Sequence, residues 1–186
     1  MGSAPSRRAR GAVRTVVVLG CGKQKRNDRE IVKLPLGPDA TRPIGYREIE
    51  VGVSYPLVKL YTGPLFKDRL RVARMFGGPH WIVSAFHGIR RPDYRSGWYE
   101  RQLPTRKLDP MLLWYNAIVG RKLLEDTERG DRIIVLASAP YVRGWQFGLE
   151  HAGRIVETPL KGLGIGAQRK RCRELRQMRL PLKETG

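Results

Sequence analysis

The sequence predicts an α/β fold, an open three-layer sandwich with a mainly parallel sheet of at least four strands. The first observation behind this prediction is that short apolar runs alternate along the chain with helix-like segments, as they do in βαβ units. The second is the length: 186 residues are enough for one domain with its own core and too few for two comfortable ones.

Four segments have the pattern of buried strands, with apolar and often β-branched residues in short runs. They are TVVVLG (15–20), HWIVSA (80–85), DRIIVLAS (131–138) and RIVETPL (154–160). Residues 27–55 are rich in proline, glycine and charge, and they form either a long excursion or a small hairpin.

Helices are predicted between these strands. Segment 56–76 holds a turn at Gly63-Pro64 and then a helix whose apolar stripe also contains Arg69. Segment 108–126 is the clearest helix, because Asp109 can cap it and a proline takes its first position. The remaining predicted helices are 140–153, which ends at a glycine, and 167–179, which is strongly basic.

Charge is the most unusual property of the composition. The chain has 36 Lys and Arg against 17 Asp and Glu, a net charge of +19. Residues 1–14 contribute +4 and residues 167–186 contribute +5, so 19 − 4 − 5 = +10 remains for the middle. A surface this basic attracts polyanions and predicts a nucleic-acid partner, with DNA favoured over RNA. The alternative is a basic protein without specific chemistry.

We therefore divide the chain into a flexible basic arm (1–14), a single α/β domain (15–168) and a basic helical tail (169–186). Two cysteines cannot form a disulfide framework, and the sequence has no Cys/His ligand cluster, so we expect no metal and no cofactor. No apolar run approaches the ~18 residues of a membrane span, which predicts a soluble, cytoplasmic protein.

Small, polar or reactive residues follow each predicted strand. In an open parallel sheet, ligands bind outside the carboxyl ends of the strands, so these loops predict one shared site. Cys21 and Gly22 follow the first strand, and His87 closely follows the second. The candidate substrate-binding residues in these loops are Lys23, Lys25, Ser84, Tyr141, Gly162, Gly164 and Gly166.

The stretch GLGIGA, at 162–167, matches a dinucleotide-binding motif literally. It follows the last strand instead of the first, however, and no acidic residue lies about 20 residues further on. Glycines at the start of a basic helix do allow backbone N–H groups to approach an anion. The segment is therefore either a phosphate-contacting loop or a simple helix-entry turn.

The candidate catalytic residues are few. His87 has an ordinary pKa near neutrality, which suits acid–base chemistry, although a local backbone bond is an equally good explanation. Asp93 and Glu100 lie in a basic, aromatic stretch and are candidates to activate water, or they only balance neighbouring arginines. Cys21 is a candidate nucleophile if His87 serves as its base, and is otherwise a small packing residue.

Five motifs, spread over about residues 15–170, resemble a family of small bacterial and phage proteins catalogued as a domain of unknown function. That family is typified by C-x-K-K, L-Y-x-G-x-L-F, S-A-K-H-G and P-L-x-G-L-G-I-G. Phe86 replaces the lysine of S-A-K-H-G, and residues 27–55 are longer than is typical. The matching segments are LGCGKQKR, LYTGPLFKDRLRVAR, WIVSAFHGIRRPD with the following YERQL, IIVLASAPYV and ETPLKGLGIGAQ.

More distantly, the arrangement resembles the uracil-DNA glycosylase superfamily, including the core domain of archaeosine synthase. The resemblance implies a fold of that type, in which residues 21–25 and 60–66 line a base pocket. It also implies that Tyr61 is the ring on which a base stacks and that His87 lies opposite.

The function predicted is that of a nucleic-acid-associated enzyme acting on a nucleobase. The chemistry would be N-glycosidic cleavage, or modification of a deazaguanine-type or hypermodified base, both of which need a flipped, stacked base. One alternative is a non-catalytic module that binds nucleic acid or nucleotides. The other is an enzyme on free nucleotides whose basic tails tether it to nucleic acid.

Overall fold

The computed structural model describes residues 13–35, 46–104, 106–107 and 109–178. Within them the chain forms an α/β fold whose central five-stranded sheet is mixed, mostly parallel and flanked by helices. This confirms the predicted class and the mainly parallel sheet. Most of the predicted basic arm, and residues 179–186 of the predicted tail, lie outside the described residues.

The central sheet has the strand order β6-β5-β1-β8-β9. β5, β1, β8 and β9 run parallel and correspond to the four predicted strands, whereas β6 is antiparallel to β5. The strands of the described residues are β1 Thr15–Gly20, β2 Arg29–Pro35, β3 Tyr46–Gly52, β4 Tyr55–Pro56, β5 His80–Ser84, β6 Gly88–Arg90, β7 Arg95–Ser96, β8 Arg132–Leu136 and β9 Ile155–Glu157.

The segment that the sequence left open is, in its described part, a hairpin. β2 and β3 pair antiparallel, from Arg29 opposite Gly52 to Pro35 opposite Tyr46. A second small pair, β4 with β7, joins residues 55–56 to residues 95–96. This second pair brings the aromatic stretch after β6 back towards the segment that precedes α1.

Helices cover both faces of the central sheet. Val17 and Leu19 of β1 pack in one core with α2 and α5, and Val16 and Val18 pack in the other core with α3 and α4. Burying apolar side chains on alternate faces of one strand is what a sheet between two helical layers requires. The helices are α1 Leu57–Leu60, α2 Pro64–Met75, α3 Pro110–Asp126, α4 Gln146–His151 and α5 Ile165–Gln177.

Helix boundaries follow local chemistry where the sequence provides it. Asp109 caps α3 by accepting a hydrogen bond from the Met111 backbone N–H at 2.9 Å, and Pro110 is the first helical residue, as predicted. No helix among the described residues is both long enough and apolar enough to cross a membrane.

The helix predicted over 140–153 is wrong in its first half. The structure has a single 3₁₀ turn, Ala139–Tyr141, and the α-helix α4 begins only at Gln146. The reason is the carbonyl of Tyr141, which accepts hydrogen bonds from the Trp145 indole N–H at 2.8 Å and the Tyr115 hydroxyl at 3.0 Å. The backbone N–H of Trp145 bonds instead to Val142, so the first turn is not α-helical.

Among the described glycines, Gly78 makes the closest approach to another part of the backbone. A Cβ atom at this position would lie 2.1 Å from the backbone oxygen of Thr15, at the start of β1. Gly78→Ala is therefore expected to lower the free energy of unfolding by about 1–3 kcal/mol or more, since the backbone must shift. Denaturant unfolding followed by circular dichroism measures the change.

Gly148 is the matched control for this substitution. It lies inside α4, and within the described part of the chain nothing lies within 4 Å of a Cβ added there. Gly148→Ala is expected to stabilise the protein by about 0.5–1 kcal/mol, because alanine loses less backbone entropy than glycine in a helix. Equal stability of the two variants would contradict the close approach at Gly78.

Candidate functional site

The order of the parallel strands marks where a ligand should bind. The chain passes from β1 to β5 on one side and then returns past β1 to β8 on the other. Such a reversal opens a crevice at the carboxyl ends of the two strands that diverge, here β1 and β8. Cys21 follows β1, and Tyr141 follows β8 by a short loop.

Cys21 and Tyr141 meet across this crevice. The Cys21 Sγ lies 3.6 Å from the Tyr141 hydroxyl, within range of a sulfur hydrogen bond. Burial raises the pKa of the Cys21 thiol, which the bond to Tyr141 and the charges of Lys25 and Arg69 only partly offset. Burial also raises the pKa of Tyr141. Both groups are therefore protonated at neutral pH.

A second group of side chains lies beside Cys21, between the loop after β1 and residues 60–62. The two segments are joined by backbone bonds, such as Arg26 N–H to the Leu60 carbonyl at 2.9 Å. The Lys25 ammonium lies 4.5 Å from the centre of the Tyr99 ring, a cation–π contact. Burial lowers the pKa of Lys25, and the nearby Cys21 and Glu100 oppose this shift.

Tyr61 and Tyr99 are the two buried tyrosines of this group. Their hydroxyls form a short hydrogen bond with each other. Burial raises the pKa of Tyr61 far above its ordinary value and raises the pKa of Tyr99 to about 12. Ser84 lies close enough to both tyrosines to oppose these shifts in part. The two phenols are thus neutral and held in place.

Aromatic rings continue from Tyr99 to the protein surface. Phe86 stacks on Tyr99 with ring centres 4.6 Å apart and planes 20° apart, and 45% of Phe86 remains exposed. The His87 ring meets Tyr99 edge-on at 5.0 Å and Tyr94 at 5.3 Å. The exposed ring of Phe86 therefore lies directly beside an ionisable imidazole.

His87 is held by both backbone and side-chain bonds. Its N–H donates to the Ser84 Oγ at 2.9 Å, and Gly88 then reverses the chain with a φ of +66° that favours glycine. The imidazole Nε2 lies 2.9 Å from the Ser96 Oγ, while the Ser96 hydroxyl donates to the Gly97 carbonyl at 3.0 Å.

The contacts of Ser96 bear on the tautomer of His87. We assign Nε2–H as the donor to the Ser96 Oγ, which fits the bond from the Ser96 hydroxyl to the Gly97 carbonyl and leaves the lone pair on Nδ1. Burial lowers the pKa of His87, and the charge of Arg90 adds to this shift. The imidazole is thus neutral at pH 7 and can accept a proton at Nδ1.

Arg69 is a buried cation below the end of β1. It is 5% exposed, and its guanidinium donates to the Gly20 carbonyl at 3.2 Å and to the Gln168 Oε1 at 2.6 Å. Gln168 in turn donates to the Leu163 carbonyl at 2.7 Å. This chain of bonds ties β1 and α2 to the glycine-rich loop. Among the described residues, no carboxylate pairs with Arg69, and its Nε–H has no partner.

The glycine-rich loop lies at the same edge of the sheet. α5 begins at Ile165, and among the described residues no side chain caps its N-terminus at Gly164. The loop glycines Gly162, Gly164 and Gly166 are exposed. The geometry is compatible with the predicted anion contact, since open N–H groups, the helix dipole and the charge of Arg69 all favour a negative ligand.

Most of the residues that the sequence selected come together at this edge. Cys21, Lys25, Tyr61, Ser84, His87 and Tyr141 form one connected cluster, and Glu100 is close enough to Lys25 to influence its pKa. Lys23 is exposed on the same loop, where its carbonyl accepts a bond from Lys25. The structure places Asp93 at a neighbouring cavity of about 380 Å³, which is also lined by Tyr94, the residue whose ring lies 5.3 Å from that of His87.

Two members of the cluster were not among the selected residues. Tyr99 was visible only as one ring of an aromatic stretch, and its contacts with Tyr61, Phe86 and Lys25 depend on tertiary structure. Arg69 had a clearer signal, since a cation stood within the apolar stripe of α2. Cations on such a stripe are rarely buried without a partner.

Comparison with known proteins identifies a family. A model described as a family of unknown function (DUF6884) matches residues 53–174. No curated protein matches the sequence. Within the described part of the chain, no group of three or more His, Cys, Asp or Glu side chains is arranged to hold a metal ion.

Proposed function

The chain belongs to this family of unknown function, and from the geometry of its site we propose that it is an enzyme acting on a nucleobase of nucleic acid. The partner is DNA in preference to RNA, and the reaction is N-glycosidic cleavage or modification of the base. The distant likeness to uracil-DNA glycosylases is part of this proposal. The observation that carries it is the exposed Phe86 ring, stacked on Tyr99 and adjacent to the neutral imidazole of His87.

A flipped base needs a flat apolar partner and polar groups at its edge. Phe86 supplies the ring, and Lys25 and Glu100 lie near the same Tyr99 platform. Base stacking on an aromatic ring contributes about 1–3 kcal/mol per base. The open amide groups at the start of α5 would receive a phosphate of the same strand.

In the glycosidic route, His87 Nδ1 accepts a proton from water as the water oxygen bonds to C1′ of the sugar. The C1′–N bond breaks, its electron pair stays on the base nitrogen, and the Lys25 ammonium supplies the proton that the departing base requires. The lowered pKa of Lys25 makes it a better proton donor than an ordinary lysine. Glu100 stabilises the positive charge that develops on the sugar.

Cys21 is not the nucleophile of this proposal. Its raised pKa keeps the thiol protonated at neutral pH, and the group that it contacts is another protonated hydroxyl, that of Tyr141. We assign Cys21 and Tyr141 to closing the crevice between β1 and β8. We give Asp93 no role in this reaction, because it lines the neighbouring cavity and, within the described part of the chain, has no contact with the groups to which we assign the chemistry.

One observation favours the second candidate, a binding module without turnover. The hydroxyls of Tyr61, Tyr99 and Tyr141 and the thiol of Cys21 all have raised pKa values, so they only donate or share protons at neutral pH. A pocket of neutral donors recognises a base without needing to transform it.

The experiment that separates the two candidates is mass spectrometry of nucleosides and released bases. The protein is incubated with DNA and RNA that carry unmodified, deazaguanine-type and hypermodified bases. Loss of one nucleoside or release of one base, present with the native protein and absent with His87→Gln, supports the enzyme. Binding of the same nucleic acids with no product above the His87→Gln background supports the binding module.

A further inference from the structure

A basic groove lies between α2 and α5, away from the cluster around His87. It has a volume of about 590 Å³. Its walls are built by four arginines and two neutral side chains: Arg71, Arg74, Arg173, Arg176, Met75 and Gln177. Four arginines along one concave surface give it a positive charge that attracts anions.

The described residues supply little of that neutralisation. Asp68 lies 3.3 Å from Arg71, but it also pairs with Arg169 at 2.8 Å, outside the groove lining. Among the described residues, Arg74, Arg173 and Arg176 make no ion pair. The groove therefore has an excess of positive charge along two helices, and guanidinium groups bind phosphate well.

The groove also has a defined position relative to the site. α2 and α5 both begin at the carboxyl edge of the sheet and run alongside each other, as the contacts of Arg69 with Gln168 and of Asp68 with Arg169 show. From Gln168 to Arg176, α5 rises about 12 Å. That distance corresponds to roughly three or four phosphate steps along one strand of a duplex.

We propose that this groove binds the phosphate backbone of the nucleic acid whose base enters the site at the strand ends. The inference rests on the proposed function for the identity of the polymer. It adds the surface that holds the polymer and the direction in which the strand leaves the site, along α2 and α5. An acidic peptide would also satisfy the charges, but it lacks the regular spacing of phosphates and the base for the Phe86 ring.

The test is the salt dependence of binding to a fluorescent 20-nucleotide DNA, single-stranded and duplex. The variant is the double substitution Arg173→Gln and Arg176→Gln in the groove lining, where Arg173 is exposed and Arg176 is half-buried. Each lost phosphate contact is expected to reduce the slope of log affinity against log salt by about 0.7–0.9, so the double variant should lose about 1.4–1.8.

The matched control removes the same charge from the other face of the protein. Arg121 lies on α3, with 82% of its side chain exposed and paired with Glu125, and Arg129 follows the same helix. Arg121→Gln with Arg129→Gln is expected to leave the slope nearly unchanged. Circular dichroism should show that both double variants are folded.

The possible results test the groove and the proposed function independently of each other. If the native protein binds with a steep salt slope that the α5 variant retains, or if the control loses as much slope, the groove is overturned and nucleic-acid binding stands. Displacement of the DNA by polyglutamate as readily as by unlabelled DNA also overturns it. Absence of any DNA binding overturns both proposals. A groove effect without base chemistry supports the groove and contradicts the enzyme.

Discussion

His87→Gln should lower the rate of the base reaction by about 10²–10⁴-fold, the usual contribution of a positioned general base. Nδ1 of the native imidazole can accept a proton because Nε2–H is fixed on Ser96. Glutamine retains a polar side chain of similar size but has no basic nitrogen. Single-turnover rates at saturating enzyme measure the loss, and binding of the same substrate should change by less than about threefold.

The pH dependence gives the same residue a second test. The reactive form of His87 is neutral, and burial places its pKa below the ordinary value of 6.5. The rate should therefore stay constant from pH 8 to about 6.5 and fall at lower pH, as the imidazole becomes protonated. The free energy of unfolding should depend on pH in the same direction. Because the pKa of His87 is lower in the folded protein than in the unfolded chain, His87 contributes stability above pH 6.5. This contribution is lost as the pH falls through the folded-state pKa.

Ser96→Ala is the control that separates positioning from chemistry. It removes the acceptor that fixes Nε2–H without removing the base. We therefore expect a smaller rate loss than for His87→Gln, and the fall in rate at low pH (the acidic limb of the pH profile) should remain. If His87→Gln keeps the native rate, or if the acidic limb persists in that variant, the assignment of His87 as the base is wrong.

The elements that the sequence predicted well are those whose signal is local. The four parallel strands are apolar runs that fill both faces of the sheet, and α3 begins where Asp109 and Pro110 place it. β6 and the β4–β7 pair lacked such a signal, because two- and three-residue strands are defined by their partners. α4 is short because the side chains of Tyr115, on α3, and Trp145, just before α4, both bond to the Tyr141 carbonyl, and the bond from Tyr115 is a tertiary contact.

In the candidate site too, residues with a local sequence signal were predicted, whereas those placed by tertiary contacts were not. The rule that ligands bind at the carboxyl ends of parallel strands selected Cys21, His87 and Tyr141, and the structure brings their loops to one edge. Asp93 was selected because it is close to His87 in sequence, but β6 intervenes and Asp93 lines the cavity next to the cluster. Tyr99 was recognised only as one ring of an aromatic stretch, because its contacts with Tyr61 and Lys25 depend on how the chain returns after β7.

Phe86 stands where the motif S-A-K-H-G, which this segment resembles, has a lysine, and the two side chains would act differently at this edge. A lysine would offer a charge at this edge, whereas Phe86 offers a ring that is stacked on Tyr99 and 45% exposed. A base on that ring gains stacking energy without any hydrogen bond, so binding should tolerate different sequences. Phe86 thus favours unpaired bases over fully paired duplex.

Phe86→Ala should weaken binding of a single-stranded oligonucleotide by about 5- to 150-fold, which corresponds to the ~1–3 kcal/mol of one stacked base. Phe86→Trp, which preserves a stacking surface, should restore the affinity, and Phe86→Lys should not, although it adds a charge. Phe147→Ala is the matched control, since Phe147 is 76% exposed on α4 and stacks only on His151 among the described rings. Fluorescence anisotropy at constant salt measures all four variants.

The ligand provides the decisive comparison for this prediction. An oligonucleotide whose central residues lack bases has the same phosphates but nothing to stack, so the native protein and Phe86→Ala should bind it equally. If Phe86→Ala weakens binding of the abasic and the normal strand to the same extent, Phe86 acts only by packing against Tyr99. Equal affinity of native protein and Phe86→Ala for the normal strand would show that no base rests on this ring, and the nucleobase proposal would lose the observation that carries it.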